Sequence, residues 1–563
     1  MGEGLSHWSS MVLRKSQTCF SDRHTHPNSM YSNFCHVLKG KIQCIGATCL
    51  FLCGMNACTA GYEEMNTNPD KVTDDMLDMD NLRTGGSISA MQLDIIPCSD
   101  EGANAFQRAQ NLVGDIFSGY MSGSDNWNSS SNNQTYNLRF GGWSDVLFSI
   151  AYQNVMPQWK KIATEEIKTE EPVTYAIGQV LKIAAMHRVT DAYGPIPYFK
   201  FGESLMIPYD SQEKVYESFF NELTEASQIL EQYATENPSA RPLKGYDLVY
   251  EGDVSKWAKF ANTLMLRLAM RVVYVKPDWA QKYAEQAVTK SKLGVMTSNA
   301  DNALLHSHNG ITVYHPLNVV WDMYKDARMG ASMESYLKGY KDSRISKYFS
   351  QATSPAGDYH GMRNGIIVDD IEGYRALSCP NVQKTDPVLW MCAAEAYFLR
   401  AEGALRQWNM NGTAKDLYEQ GVQTSFEQHS AAIGNYLTDD TAKPAKFEDK
   451  VGNNSAAPRS TITPVYNTEA GFEANLERII TQKWLAMFPE GMEAWSEFRR
   501  TGYPKIFPVV QNYSGGTIDT EKQIRRLPFP QTEYDNNNAN VKDAISLLNG
   551  ADHGGTPLWW DKK

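Results

Sequence analysis

Residues 386–407 read DPVLWMCAAEAYFLRAEGALRQ, and residues 413–428, beyond Asn411-Gly412, read TAKDLYEQGVQTSFEQ. Each is a helical pattern, and the Asn-Gly pair between them is a turn signal, so the two predict a helical hairpin. A second candidate pair spans 254–273 and 278–291, divided at Lys276-Pro277. In its first half Trp257, Ala261, Leu264, Leu268 and Val272 follow one another at intervals of three or four residues. That spacing draws one apolar stripe along a helix, and Lys259 and Asn262 fall off it. Further helical runs cover 143–165, 172–191, 211–233 and 472–488, whereas Val/Ile/Thr alternation is rare and brief.

In the 386–428 pair the Ala-Tyr-Phe spacings resemble a tetratricopeptide helix pair. The fold class expected is all-α, built of tetratricopeptide-like helix pairs. Long polar connections at 119–141, 298–318, 350–385, 431–468 and 510–526 interrupt the helices. Insertions of that length in a compact domain carry function or lack order. No composition break divides residues 87–563, which read as one domain. Of the 563 residues, 42% are hydrophobic and 21% charged, ordinary globular usage. A net charge of −12 with no dense Lys/Arg run argues against a nucleic-acid partner.

Six of the nine cysteines lie in the first 58 residues. From Lys39 the chain reads KGKIQCIGATCLFLCGMNAC, a short basic start followed by a mostly apolar run from Ile42 to Leu52. Eleven residues are too few to span a bilayer but suit a secretory signal. The ending Met55-Asn56-Ala57-Cys58 resembles a bacterial lipoprotein cleavage box, with Cys58 as the lipid attachment point. Residues 1–57 are therefore read as a leader, with Met30 the better start. Residues 58–86, polar and rich in Asn, Asp and Thr, read as a tether. The leader holds five Lys/Arg and two acids, so its removal leaves a more acidic chain. Cys98, Cys379 and Cys392 remain, an odd set without a CxxC and no disulfide framework.

Catalytic motifs are missing: there is no HExxH, GxSxG, Walker-type GxxxxGK[ST] or EF-hand loop. His306, His308 and His315 cluster, but without an acidic neighbour in sequence they are read as solvated, and no metal is assigned. His187 and Asp191, four apart on a helix, read as an intrahelical pair. Arg267 and Arg271 share a helix face, while Glu493, Trp495, Arg499 and Arg500 read as part of a buried Arg–carboxylate network fixing helix packing.

Several blocks in order carry a family resemblance. They include AAMHRVTDAYGPIPYFKF (184–201), DLVYEGDVSKWAKFANTLMLRLAMRV, MESYLKGYKDSRISKYF, ERIITQKWLAMFPEGMEAWSEFRRTGYP and RRLPFPQTEYDNNNANV. Together they resemble the SusD/RagB family of outer-membrane nutrient-binding lipoproteins, in its SusD-like branch, from about Cys58 to the last residue; residues 1–29 match nothing in it. The resemblance implies a lipid-anchored protein on the outer face of the outer membrane, partnered with a SusC-like TonB-dependent transporter. It implies a glycan ligand or, in some branches, a peptide, and neither catalysis nor a cofactor. A surface-anchored hydrolase and a protein–protein scaffold are the rival readings.

Sugar receptors stack an aromatic ring on the apolar face of a pyranose and add planar hydrogen-bonding groups. Most of the 13 tryptophans fall in or beside helical patterns, and Trp559 and Trp560 read as docking the chain end. Trp127, in the aperiodic stretch GYMSGSDNWNSSSNNQTYN, and Trp321 remain as stacking candidates. Asp125, Asn128 and Tyr314 are the polar or stacking helpers expected beside them.

Overall fold

The structure is a computed structural model that describes residues 82–98, 103–126, 132–138 and 143–563. The leader, Cys58 and the tether up to residue 81 lie outside the described residues, as do Trp127 and Asn128.

Nine helices carry the frame: α1 (Leu82–Ile95), α2 (Pro172–Tyr193), α3 (Gln212–Glu236), α4 (Val254–Arg271), α5 (Pro277–Glu285), α6 (Ala393–Leu405), α7 (Ala414–Gln428), α8 (Phe472–Ala486) and α9 (Gly491–Thr501). α1 to α5 each pack on the next, α4 reaches across to α6, and α6 packs on both α7 and α8. The hairpin expected at 386–428 is α6–α7, but the helical reading began too early: Val388–Met391 is a strand and α6 starts only at Ala393. In the second pair α4 packs on α5, which continues as a π-helical turn through Lys290.

Local chemistry sets the ends of these helices. The side chains of Ser211, Asp253 and Thr413 accept backbone N–H groups in the first turns of α3, α4 and α7. Pro172 and Pro277 open α2 and α5, where a missing N–H costs nothing. α2 is buried on almost every side from Val173 to Tyr193 and stops at Gly194, whose φ of 92° a side chain rarely adopts. The extended exit runs through Ile196, which bridges to Asp210.

α1 starts at Leu82, so residues 82–86 of the stretch read as tether are helical. Gly85 is there because the Tyr246 ring lies where a Cβ would stand, so Gly85-Gly86 marks a close approach and no break. Sequence periodicity also missed a helical segment over 104–117, largely π-helical at Gln107–Asp115. Gln110, Asn111 and Asp115 are buried on it and bond to one another, which hides the apolar pattern.

Strands are few and short: β1 (Met121–Gly123), β2 (Ala303–Leu305), β3 (Ala327–Met329) and β4 (Val388–Met391). β1 pairs antiparallel with β3 and β2 with β4, each pair joining a long insertion to a distant part of the chain.

Where α4, α6, α8 and α9 meet, the core is ionic. Arg267 donates twice to Glu395 at 2.8 and 2.6 Å, and Arg271 reaches Glu493 at 2.5 Å and Glu497 at 2.8 Å. Lys483 lies 3.2 Å from both Glu493 and Glu497, and Arg500 joins Glu402 to Glu497. All of these side chains are buried. The Arg500 charges hold Glu402 and Glu497 below the usual carboxylate range against the opposing effect of burial, the larger single influence. Arg499 leaves this network; its guanidinium lies 3.5 Å from the centre of the Trp495 ring and donates to the Asp191 and Arg525 carbonyls. His187 and Asp191, 3.6 Å apart, are a buried pair, and Asp191 also accepts from Tyr216 and Trp560.

Candidate functional site

The β1–β3 ladder determines what the long insertions can share. Met121 faces Met329, Ser122 faces Arg328 and Gly123 faces Ala327. Gln134 locks the next turn of chain onto β1, its side-chain carbonyl accepting from the Ser122 hydroxyl at 2.8 Å and the Gly123 N–H at 2.9 Å. Ser124 extends the pairing, its N–H donating to the Asp326 carbonyl and its hydroxyl to that of Lys325. The chain then enters the insertion that holds Trp127, with Asp125 at its root.

Beside this ladder opens a cleft of about 430 Å³. Trp321, Lys325 and Arg328 line it together with Ser350, Gln351, Thr353, Glu372, Arg375 and Cys379. Trp321 sits on a π-helical turn (Val319–Met323), half-buried, with its indole N–H donating to the Val382 carbonyl at 2.9 Å. That bond spends the polar edge of the ring on the protein and leaves the indole as a fixed apolar wall.

Arg375, also in the lining, ends a short helix, Ile371–Arg375, whose last carbonyl accepts from Arg328 Nε at 3.0 Å and from a terminal nitrogen at 2.7 Å. Arg375 lies 3.8 Å from Asp125 and bonds to Glu372 at 3.4 Å, while its Nε is buried without a hydrogen-bond partner. Behind them Asp326 keeps one carboxylate oxygen on Gln107 at 2.6 Å, and its other oxygen is buried without a partner. Burial first, and then the charge of Asp125, push its carboxyl up to about 7, despite Gln107, Arg328 and Arg375. A lining that combines an indole with guanidinium, amide, hydroxyl and carboxylate groups suits a ligand with one apolar face and many hydroxyls.

Of the residues proposed from sequence, Trp321 lines this cleft, and Asp125 stands outside the lining, 3.8 Å from Arg375, which belongs to it. Tyr314 is not among the residues lining the cleft. Its ring lies under the Lys384 ammonium, 4.0 Å from the ring centre, and the adjoining His315 N–H is bonded to the Lys384 carbonyl. Sequence reading proposed no other residue of the lining. Ser350, Gln351, Thr353, Glu372 and Arg375 stand in the 350–385 insertion, whose length was the one signal. Trp257, Trp390, Trp484, Trp495 and Trp560 are core, while Trp143, Trp159, Trp279, Trp408, Trp559 and Trp321 itself pack partly buried against it, so burial does not set Trp321 apart from the tryptophans eliminated.

Residues 64–561 match the family described as SusD-like, the SusD and RagB outer membrane lipoproteins, and the chain belongs to it. Solved relatives agree. A chitin-binding SusD homolog from Flavobacterium johnsoniae is 41% identical, with a TM-score of 0.82 over 85% of this chain and 99% of its own. SusD homologs from Bacteroides uniformis and Bacteroides thetaiotaomicron are 40% and 39% identical, each with a TM-score of 0.79 over 85% of this chain and 99% of theirs. No curated protein matches the sequence. Among the described residues no helix is long and apolar enough to cross a membrane.

Proposed function

We propose that the protein is a glycan-binding lipoprotein, anchored through a lipid on Cys58 and facing outward from the outer membrane. In this reading it holds an oligo- or polysaccharide without turning it over and passes it to a SusC-like TonB-dependent transporter. The 41% identity, over nearly the full length of the relative, to a chitin-binding SusD homolog carries the ligand class. The cleft supplies a physical route: Trp321 stacks on a sugar ring, while Gln351, Arg375 and Glu372 meet its hydroxyls. Trp127 and Asn128 follow Asp125 directly in the chain and are the further contacts we assign to the same ligand.

Affinity gels and calorimetry with a polysaccharide panel, including soluble chitin fragments, test this reading. The wild-type chain is expected to bind at least one glycan and to release no shorter product. Unchanged binding in both Trp321→Ala and Trp127→Ala would remove the cleft assignment while leaving the family intact. Peptide binding with no glycan bound, or cleavage of the glycan, would overturn the ligand or the non-enzymatic reading.

A further inference from the structure

A second constellation lies on segments remote from the cleft residues. His306 and His308 stand just beyond β2, and the fold brings Glu251, 55 residues upstream of His306, to both of them. His306 Nε2 is 3.3 Å from one Glu251 carboxylate oxygen, and His308 Nδ1 is 3.8 Å from the same oxygen. One donor atom from each residue falls within 4.8 Å of the other two. The edge of a tetrahedron of ligands about 2.0–2.1 Å from a zinc ion is roughly 3.3 Å. Both measured separations are close to that edge.

The outer nitrogens carry the stronger signal. His306 Nδ1 lies 3.0 Å from the Leu304 carbonyl, and His308 Nε2 lies 2.6 Å from the Lys244 carbonyl. A carbonyl only accepts, so each outer nitrogen bears a proton, and whenever the ring is neutral its lone pair is the inner one, on the Glu251 side. Metal-bound histidines are held in this way, by a backbone carbonyl that fixes tautomer and ring orientation.

The backbone is shaped to hold the three groups. Glu251 (φ 51°) and Asn309 (φ 47°) occupy the left-handed region, each followed by a left-handed glycine, Gly252 and Gly310. Such positions are costly for a residue with a side chain and cluster at binding sites. The Glu251 corner is tied down by Asp247, whose carboxylate accepts from Gly252 N–H and from the Trp257 indole at 2.8 Å each. The His308 side is tied down by Asn309, which donates to the Gly245 carbonyl at 2.9 Å.

We infer that Glu251, His306 and His308 form a site for a borderline divalent cation of the zinc type, clasping segment 244–252 to segment 304–309. Two imidazoles and one carboxylate favour such an ion over calcium or magnesium, which take oxygen ligands. Three protein ligands leave a fourth position open to water or to a donor group of a bound molecule. A cavity of about 420 Å³, lined by residues 241–246 and Asn309, adjoins the clasp. His315 takes no part: it is buried, and its Nδ1 accepts from the Leu317 N–H.

The test is calorimetric titration of chelator-treated full-length chain with ZnCl2, compared with His306→Ala/His308→Ala and with Glu251→Gln. His24 and His26 are present in all three and cancel in the comparison. Wild type is expected to bind one zinc equivalent more than the double histidine variant, at micromolar affinity or tighter. Glu251→Gln should bind that equivalent at least tenfold more weakly, and CaCl2 or MgCl2 should not compete. Melting in excess chelator shows whether each variant folds; should the double variant fail, Glu251→Gln decides alone. Equal stoichiometry and affinity in wild type and a folded variant, or displacement of zinc by equimolar calcium, would overturn the site.

Discussion

The ionic core between α4, α6, α8 and α9 and the cleft beside β1 and β3 use the same residue types to opposite ends. In the core Arg267, Arg271, Lys483 and Arg500 face Glu395, Glu402, Glu493 and Glu497 with each head group answered by another. In the cleft Arg375 is part-exposed and its partners Asp125 at 3.8 Å and Glu372 at 3.4 Å are more exposed still, so its charge is only loosely paired. A charge satisfied by its neighbours is architecture. One left under-satisfied at an open surface has hydrogen-bonding capacity to offer a ligand.

Breaking the core should have the largest effect. Arg500→Met strands Glu402 and Glu497 in the interior and should cost about 3–5 kcal/mol, read as a lowered urea midpoint. Replacing Arg500 and both acids together with apolar residues of similar volume should recover much of that loss, which separates burial of an orphan charge from loss of attraction.

Asp326 gives the next effect, and it depends on pH. Its folded carboxyl titrates at about 7, above its unfolded value of about 4. The folded state therefore holds an extra proton between those values, and stability falls as pH rises across that window. Asp326→Asn should melt higher than wild type at pH 8, by about 1–3 kcal/mol. The two should converge below pH 4. A constant offset at all pH values would show that the carboxyl is not the cause.

On the ligand side, Trp321→Ala should weaken glycan binding by about 2 kcal/mol, the scale of an aromatic hot spot, and should also lower the melting temperature, because the ring packs on the core and bonds the Val382 carbonyl. Arg375→Met should weaken it by about 1 kcal/mol, one hydrogen bond's worth. If Arg375→Met unfolds the chain as Arg500→Met is expected to, the contrast between core and cleft fails.

Helix existence was legible because α4, α6 and α7 repeat apolar residues at helical spacing, and periodicity is a local property. The segment 104–117 was not, because Gln110, Asn111 and Asp115 are buried as polar partners of one another and of Arg188. Trp321 could be reached by elimination. Arg375 and Gln351 could not, since nothing in an aperiodic insertion marks which polar residue faces a cleft.

The amino-acid sequence by itself determined an all-α body, the family and its ionic signature, because these rest on short-range spacing and ordered blocks. Only the tertiary structure decided that Asp125 meets Arg375, 250 residues away, and that Glu251 meets His306 and His308. Those meetings depend on strand pairs and left-handed corners that close long loops, and no local pattern records which distant side chains such a closure brings together.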